Sequence, residues 1–196
     1  MERSILFLPG WGLDKRIFQC IDPDINREDF KIPVTIIGHS FGGFLGYRFS
    51  LLYPWLVDRL ILIGVRIMYK KKEIDTMRRN LIKNKEITLY SFYKSSFYNE
   101  DEFLIFKKNF LLHYLKKEKE KLLLQLDLLE KMKIEPCDLK KIDDVILIHG
   151  KEDKIAPAVE AINLAKKANK RLFLLDNIGH VPFLNKGFLE WIKKIL

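Results

Sequence analysis

The sequence predicts an α/β protein: a doubly wound, mostly parallel sheet of about five or six strands with one helical insertion. Three observations predict it. Short continuous apolar runs that stop at glycine or proline alternate with stretches of helical spacing, the mark of strands buried on both faces and joined by crossover helices. Strand, helix and strand follow one another within residues 34–63, the size of a parallel crossover unit. A Lys-, Glu-, Leu- and Phe-rich block, residues 66–133, contains no proline or glycine and then gives way to the first pattern again.

Taken in order, residues 4–8 (SILFL) form an apolar run ended by Pro9-Gly10, and residues 34–37 (VTII) form a second ended by Gly38. Residues 41–53 carry aromatic and aliphatic side chains at helical spacing up to Pro54, and residues 59–63 (RLILI) are a third strand ending at Gly64. In the block that follows, Phe103, Phe106, Phe110 and Tyr114 share one helical face, and Leu122, Leu123, Leu126 and Leu129 share another. Residues 145–148 (VILI) end at His149-Gly150, a helix is expected over 158–168, and residues 171–175 (RLFLL) precede a loop and a short final helix around Trp191. The core is therefore expected over 1–65 and 134–196, and 66–133 as a helical basic lid inserted at the carboxyl end of a strand. Ligands of such sheets bind at that end.

The chain has 196 residues, 48% hydrophobic and 31% charged, the balance of a single folded unit rather than a disordered one. No apolar run reaches the ~18 residues that a membrane span needs, and residues 4–8 are too short for a signal-peptide core. A cytoplasmic protein with no membrane association is the expectation. Cys20 and Cys137 lie 117 positions apart, with no CxxC or Cys/His clustering, so neither a disulfide framework nor a metal site is expected, and no cofactor. The net charge is +9, and residues 66–133 hold 17 Lys or Arg against 10 Asp or Glu, so +7 of it lies in the insertion. That segment should carry a positive field. No nucleic-acid recognition motif accompanies it.

Gly38-His39-Ser40-Phe41-Gly42 is a G-x-S-x-G pentapeptide between a strand and a helix. So tight a turn tolerates only glycine at its flanks and leaves the serine hydroxyl exposed at a helix N-terminus, which makes Ser40 the candidate nucleophile. A serine hydroxyl needs a base to take its proton and an acid to orient that base. His39 should point away within the elbow, His113 lies in the insertion and His149 ends a strand, so these three read as structural. His180 lies in a loop beyond the last strand, where the site should be, and is the candidate base. Asp153 follows the strand at 145–148 at the same sheet edge and is the candidate acid, with Asp176 in reserve; Asp143 and Asp144 belong at the opposite end. Two backbone amides are expected to face a developing oxyanion, those of Phe41 and of Trp11 in the turn Pro9-Gly10-Trp11-Gly12.

The order Ser40, Asp153, His180 resembles the α/β-hydrolase superfamily. More narrowly, the sequence resembles the pimeloyl-acyl-carrier-protein methyl ester esterases of biotin synthesis. Leu8-Pro9-Gly10-Trp11-Gly12-Leu13 is similar to that family's L-H-G-W-G-L turn, with Pro9 at the histidine, and Cys20-Ile21-Asp22 follows shortly after. Residues 150–157 (GKEDKIAP) resemble its G-x-x-D-x-x-x-P acid loop, and His180-Val181-Pro182-Phe183 its H-A-P-F base loop. Only 28 residues separate Trp11 from Ser40, and residues 22–31 have room for a very short strand at most, so the implied sheet is a trimmed one.

The resemblance implies a serine carboxylesterase that hydrolyses the methyl ester of pimeloyl-acyl-carrier protein, with Ser40, Asp153 and His180 as triad and the Trp11 and Phe41 amides as oxyanion hole. An acidic acyl-carrier protein would be the partner, met by Lys70, Lys71, Lys72, Arg78, Arg79, Lys107 and Lys108 of the insertion. Phe92, Phe97 and Phe103 are candidates for lining an acyl tunnel, and a monomer is expected. The residues leave open a small free ester or thioester as substrate, and a non-catalytic binding protein on the same fold.

Overall fold

The computed structural model describes residues 4–23, 25 and 31–196. Five strands, β1 (Ile5–Leu8), β2 (Val34–His39), β3 (Val57–Ile63), β4 (Val145–Gly150) and β5 (Arg171–Leu175), form one sheet in chain order. Every neighbouring pair is parallel. Residues 22–31, with room for a very short strand at most, fall largely outside the described residues.

Both faces of the sheet are covered. Helix α1 (Phe41–Leu52) lies on one face, where Gly46 packs closely over Ile36 and Leu60. On the other, Phe7 starts a run of rings: Phe7 to Phe18 at 5.0 Å, Phe18 to Phe183 at 4.5 Å and Phe183 to Phe188 at 5.9 Å. Phe188 lies on the helix that closes the chain, named α9 below (Lys186–Ile192), and Trp191 of the same helix meets Phe173 of β5 at 5.1 Å. Because register partners Phe7, Ile37, Ile61 and Ile146 share this face, continuous apolar strands are what two-sided burial requires.

Strand ends differ from the apolar runs in a consistent way. β2 continues through Gly38 to His39 and β4 through His149 to Gly150, while β3 begins two residues early at Val57. A glycine ends a run of apolar side chains but keeps its N–H and C=O, so it continues the ladder. α1 stops at Leu52, one residue short of expectation, because Pro54 excludes the helical conformation at Tyr53.

Between β3 and β4 the chain runs through α2 (Lys71–Lys83), α3 (Lys85–Ser96), α4 (Glu100–Phe106), α5 (Leu112–Leu115), α6 (Lys119–Lys131) and α7 (Pro136–Leu139). A π-turn over Lys107–Leu111 joins α4 to α5. The ends of this excursion meet, since Met68 pairs antiparallel with Lys133 and the Ile134 amide donates to the Ile67 carbonyl at 2.9 Å. Its helices bury an aromatic cluster of their own around Tyr93, Phe106 and Tyr114.

Hydrogen bonds fasten it to the core: Tyr93 hydroxyl to Gly12 carbonyl at 2.7 Å, Trp11 Nε1 to Leu122 carbonyl at 3.0 Å, and Val181 amide to Ser96 carbonyl at 2.9 Å. The excursion thus buttresses both loops that flank the serine. β4 leads to α8 (Ala158–Ala168) and β5 to α9. Cys20 and Cys137 are free and exposed, and no helix among the described residues is long and apolar enough to cross a membrane.

Candidate active site

Ser40 sits between β2 and α1 with φ 50° and ψ −114°, a strained conformation for a residue with a Cβ. The surrounding contacts enforce it. A Cβ on Gly42 would stand 2.0 Å from the Leu8 carbonyl oxygen, and one on Gly38 would stand 2.7 Å from the Gly42 carbonyl. Glycine at both flanks lets β1, β2 and α1 close to this distance, and the Ser40 amide is fixed by the Ile63 carbonyl at 2.9 Å.

Asp153 and His180 meet as a buried pair, with His180 Nδ1 2.7 Å from Asp153 Oδ2. The other carboxylate oxygen, Oδ1, accepts the amides of Ile155 at 2.8 Å and Ala156 at 2.7 Å. Burial pushes the Asp153 carboxyl up, but the His180 imidazole, His149 and the Ala156 amide together outweigh it and hold the group below its ordinary value. The ionised Asp153 therefore takes the Nδ1 proton of His180 as its hydrogen bond, leaving Nε2 as the acceptor. His149 Nε2 lies 3.4 Å from the same carboxylate and donates to the Ala156 carbonyl at 2.7 Å, which braces the acid loop.

Ser40 is linked to this pair through the residue before it. The His180 carbonyl accepts from Nε2 of His39, the residue before Ser40, at 2.9 Å, and the two rings are 4.9 Å apart. Among the described residues the Ser40 hydroxyl has one hydrogen-bond partner, the phenol of Tyr69 at 3.2 Å, and it makes no hydrogen bond to His180. Tyr69 was not anticipated; its one signal in the sequence is a lone tyrosine just past a strand's carboxyl end. Asp176 is elsewhere, paired with exposed Lys151 at 2.6 Å, and His113 bonds Asp14 at 2.9 Å.

His39 has a further consequence for pH. Burial, then the neighbouring His180, pull its imidazole from the ordinary 6.5 down to about 3, so it is neutral in the fold with its proton on Nε2. The unfolded chain takes up a proton near 6.5 while the folded one waits until about 3. Between those values the unfolded state binds more protons, so this contribution to stability is full above pH 6.5 and falls as pH drops toward 3. Urea denaturation midpoints should decrease across that interval; a midpoint independent of pH there, or one that rises on acidification, contradicts the assignment.

The Gly10 carbonyl accepts from Leu13 at 3.1 Å, closing a turn in which Gly12 has φ +70°, a conformation that calls for glycine. The turn leaves the Trp11 amide without an acceptor among the described residues. The amide of Phe41, first residue of α1, has no intrahelical acceptor either.

Ser40, Trp11 and Tyr69 border a cavity of about 250 Å³ whose apolar wall comes from Ile74, Met77, Phe92, Leu126 and Leu129. Arg66, 3% exposed, also faces it, but its guanidinium is held by Glu160 at 2.9 and 2.5 Å and by Glu73 at 3.1 Å. Of the aromatic candidates, Phe92 lines this cavity. Phe97 and Phe103 do not: both are buried in the insertion's own cluster, Phe97 against Phe106 at 5.0 Å and Phe103 against Tyr90 at 5.4 Å. Helical spacing identifies a buried face and not what buries it.

Arg78 is likewise no free cation, since Asp75 at 2.5 Å, Asp127 at 2.8 Å and Glu130 at 2.9 Å enclose it and tie α2 to α6. Lys71 approaches Glu130 at 3.7 Å, and Lys70, Lys72, Arg79, Lys107 and Lys108 are exposed.

The profile of the alpha/beta hydrolase fold family matches residues 33–187. Among solved structures, an esterase from Exiguobacterium antarcticum superposes with a TM-score of 0.86 at 18% identity, covering 99% of this chain and 91% of that one. A bromoperoxidase from Bacillus anthracis gives 0.79 at 15% identity, with 98% and 91% covered. A hydrolase from Oleispira antarctica gives 0.80 at 12% identity, with 100% and 89% covered. At such identities the likeness is one of fold. A search of curated proteins returns no match.

Proposed function

The chain belongs to the alpha/beta hydrolase fold family, and from that membership we propose that it is a serine carboxylesterase of the cytoplasm, acting on the methyl ester of pimeloyl-acyl-carrier protein. The observation that carries the esterase reading is a strained serine at the edge of an apolar cavity, with the residue before it bonded to His180 of a buried Asp153–His180 pair. In this reading Ser40 Oγ attacks the ester carbonyl as His180 Nε2 takes its proton, and Asp153 stabilises the imidazolium. The Trp11 and Phe41 amides receive the oxyanion. Collapse expels methanol with the proton from His180, and water repeats the sequence to release a free carboxylate. The Ser40 to His180 hydrogen bond would form in the bound complex, where catalytic hydrogen bonds tighten.

The carrier-protein clause draws its support from the net positive insertion and its exposed Lys70, Lys72, Arg79, Lys107 and Lys108, to which an acidic carrier is complementary. The cavity size favours a second reading: 250 Å³ is below the ~300 Å³ usual for ligand pockets, which suits a short free ester or thioester. Rates on dimethyl pimelate and on the carrier-bound methyl ester, at low and high salt, separate the two. The first reading expects at least ~10-fold preference for the carrier at low salt, lost at high salt through screening. Salt-independent rates without preference for the carrier favour the second, and rescue of a biotin auxotroph lacking its esterase tests the first in cells.

A further inference from the structure

Tyr69 is drawn into the site by a contact that the esterase scheme does not use. Among the described residues its hydroxyl and that of Ser40 are each other's hydrogen-bond partners, 3.2 Å apart, with no second partner for either. We propose that Tyr69 is a further catalytic residue, whose O–H donates to Ser40 Oγ and stabilises the charge on that oxygen as it leaves the acyl group during deacylation. The proposal rests on the esterase reading above.

The step balances without further reactants. Water attacks the acyl carbonyl carbon and gives a proton to His180 Nε2. The tetrahedral intermediate then breaks its C–Oγ bond, the electron pair stays on Oγ, and Oγ recovers a proton from the His180 imidazolium while the acid departs. Tyr69 keeps its own proton throughout and acts as a donor only. Burial pushes its phenol up to about 12, so it remains protonated wherever the triad operates.

Two features make the contribution differential. A hydroxyl pair at 3.2 Å is long for O–H···O and therefore weak at rest. In the acyl-enzyme Oγ is an ester oxygen and a poor acceptor, and once it carries negative charge the bond from Tyr69 becomes charge-assisted and about twice as strong, so the deacylation transition state gains more than the acyl-enzyme. The phenol is also held in place. Its ring lies under the Arg66 guanidinium at 4.9 Å, and that guanidinium is itself clamped by Glu160 and Glu73. The adjacent Met68 is pinned by its bridge to Lys133.

Stopped-flow hydrolysis of 4-nitrophenyl butyrate by the wild-type protein and Tyr69→Phe tests this. Phenylalanine keeps the ring, its burial and the guanidinium contact, so the fold should persist, and a thermal melt checks it. A nitrophenyl ester acylates readily, so a slower deacylation should become limiting. The expected result is a kcat lower by about tenfold, the worth of one such hydrogen bond, with KM lower by a similar factor and kcat/KM within about twofold. A nitrophenol burst stoichiometric with enzyme should accompany it.

Equal losses in kcat and kcat/KM at constant KM would place the lost interaction in acylation and overturn the proposal, as would an unchanged kcat. A wild-type protein that neither turns over nor reacts with a fluorophosphonate would overturn the esterase reading itself, and this proposal with it.

Discussion

Ser40→Ala is expected to lower ester turnover by a factor on the order of 10⁴ to 10⁶ and to abolish fluorophosphonate labelling of the intact protein. The hydroxyl is the only atom removed, while the backbone around it is dictated by neighbours: the Leu8 carbonyl packed on Gly42 and the Ile63 carbonyl on the Ser40 amide. Whatever residue occupies the position inherits φ 50°. This separates chemistry from stability in a way that a second variant can read. Alanine keeps the strain and should melt close to the wild type, whereas Ser40→Gly relieves it and should be more stable by about 1 kcal/mol while equally inactive. Any residual rate would come from the Trp11 and Phe41 amides and from substrate binding. Retention of more than about 1% of wild-type kcat by the alanine variant, with its fold intact by thermal melt, would remove Ser40 from the mechanism.

Much of the fold was legible because two-sided burial writes itself into composition. VTII, RLILI and VILI are rich in apolar side chains on both faces, and each lies within a strand whose partners share the sheet. The elbow was legible for a related reason: Gly38 and Gly42 answer to close backbone approaches, which no other residue permits. Placement of Asp153 and His180 followed from strand polarity alone, since both come just after a strand's carboxyl end, and they meet at 2.7 Å.

Inside the helical insertion the same reasoning had less purchase. Periodicity places Phe103 on a packed face but cannot say that, of Phe92, Phe97 and Phe103, Phe92 faces the cavity, because that depends on how helices pack. Charge counting placed Arg78 among free cations, yet Asp127 and Glu130, about fifty positions on, neutralise it across the α2–α6 contact. Tyr69 escaped notice because its partner lies 29 positions away in another element.

Asp153→Asn should cost nearly as much as loss of the nucleophile, about 10⁴ in kcat at neutral pH, with the fold preserved. The loop decides which way the new amide turns. Ile155 and Ala156 donate their amides to Oδ1, so the oxygen of asparagine must stay on that side and its nitrogen must take the place of Oδ2. That nitrogen, a donor, then faces His180 Nδ1 across the 2.7 Å now spanned in the opposite sense. Nδ1 is forced to accept, the imidazole proton moves to Nε2, and the ring nitrogen that should receive the serine proton is already occupied. The variant also loses the carboxylate that stabilises the imidazolium. The reversal is visible without kinetics: ¹⁵N-resolved NMR should find His180 protonated on Nδ1 in the wild type and on Nε2 in the variant. A folded Asp153→Asn protein with His180 still carrying its proton on Nδ1, or with kcat within about tenfold of wild type, would show that the carboxylate does not set the tautomer and that the base lies elsewhere.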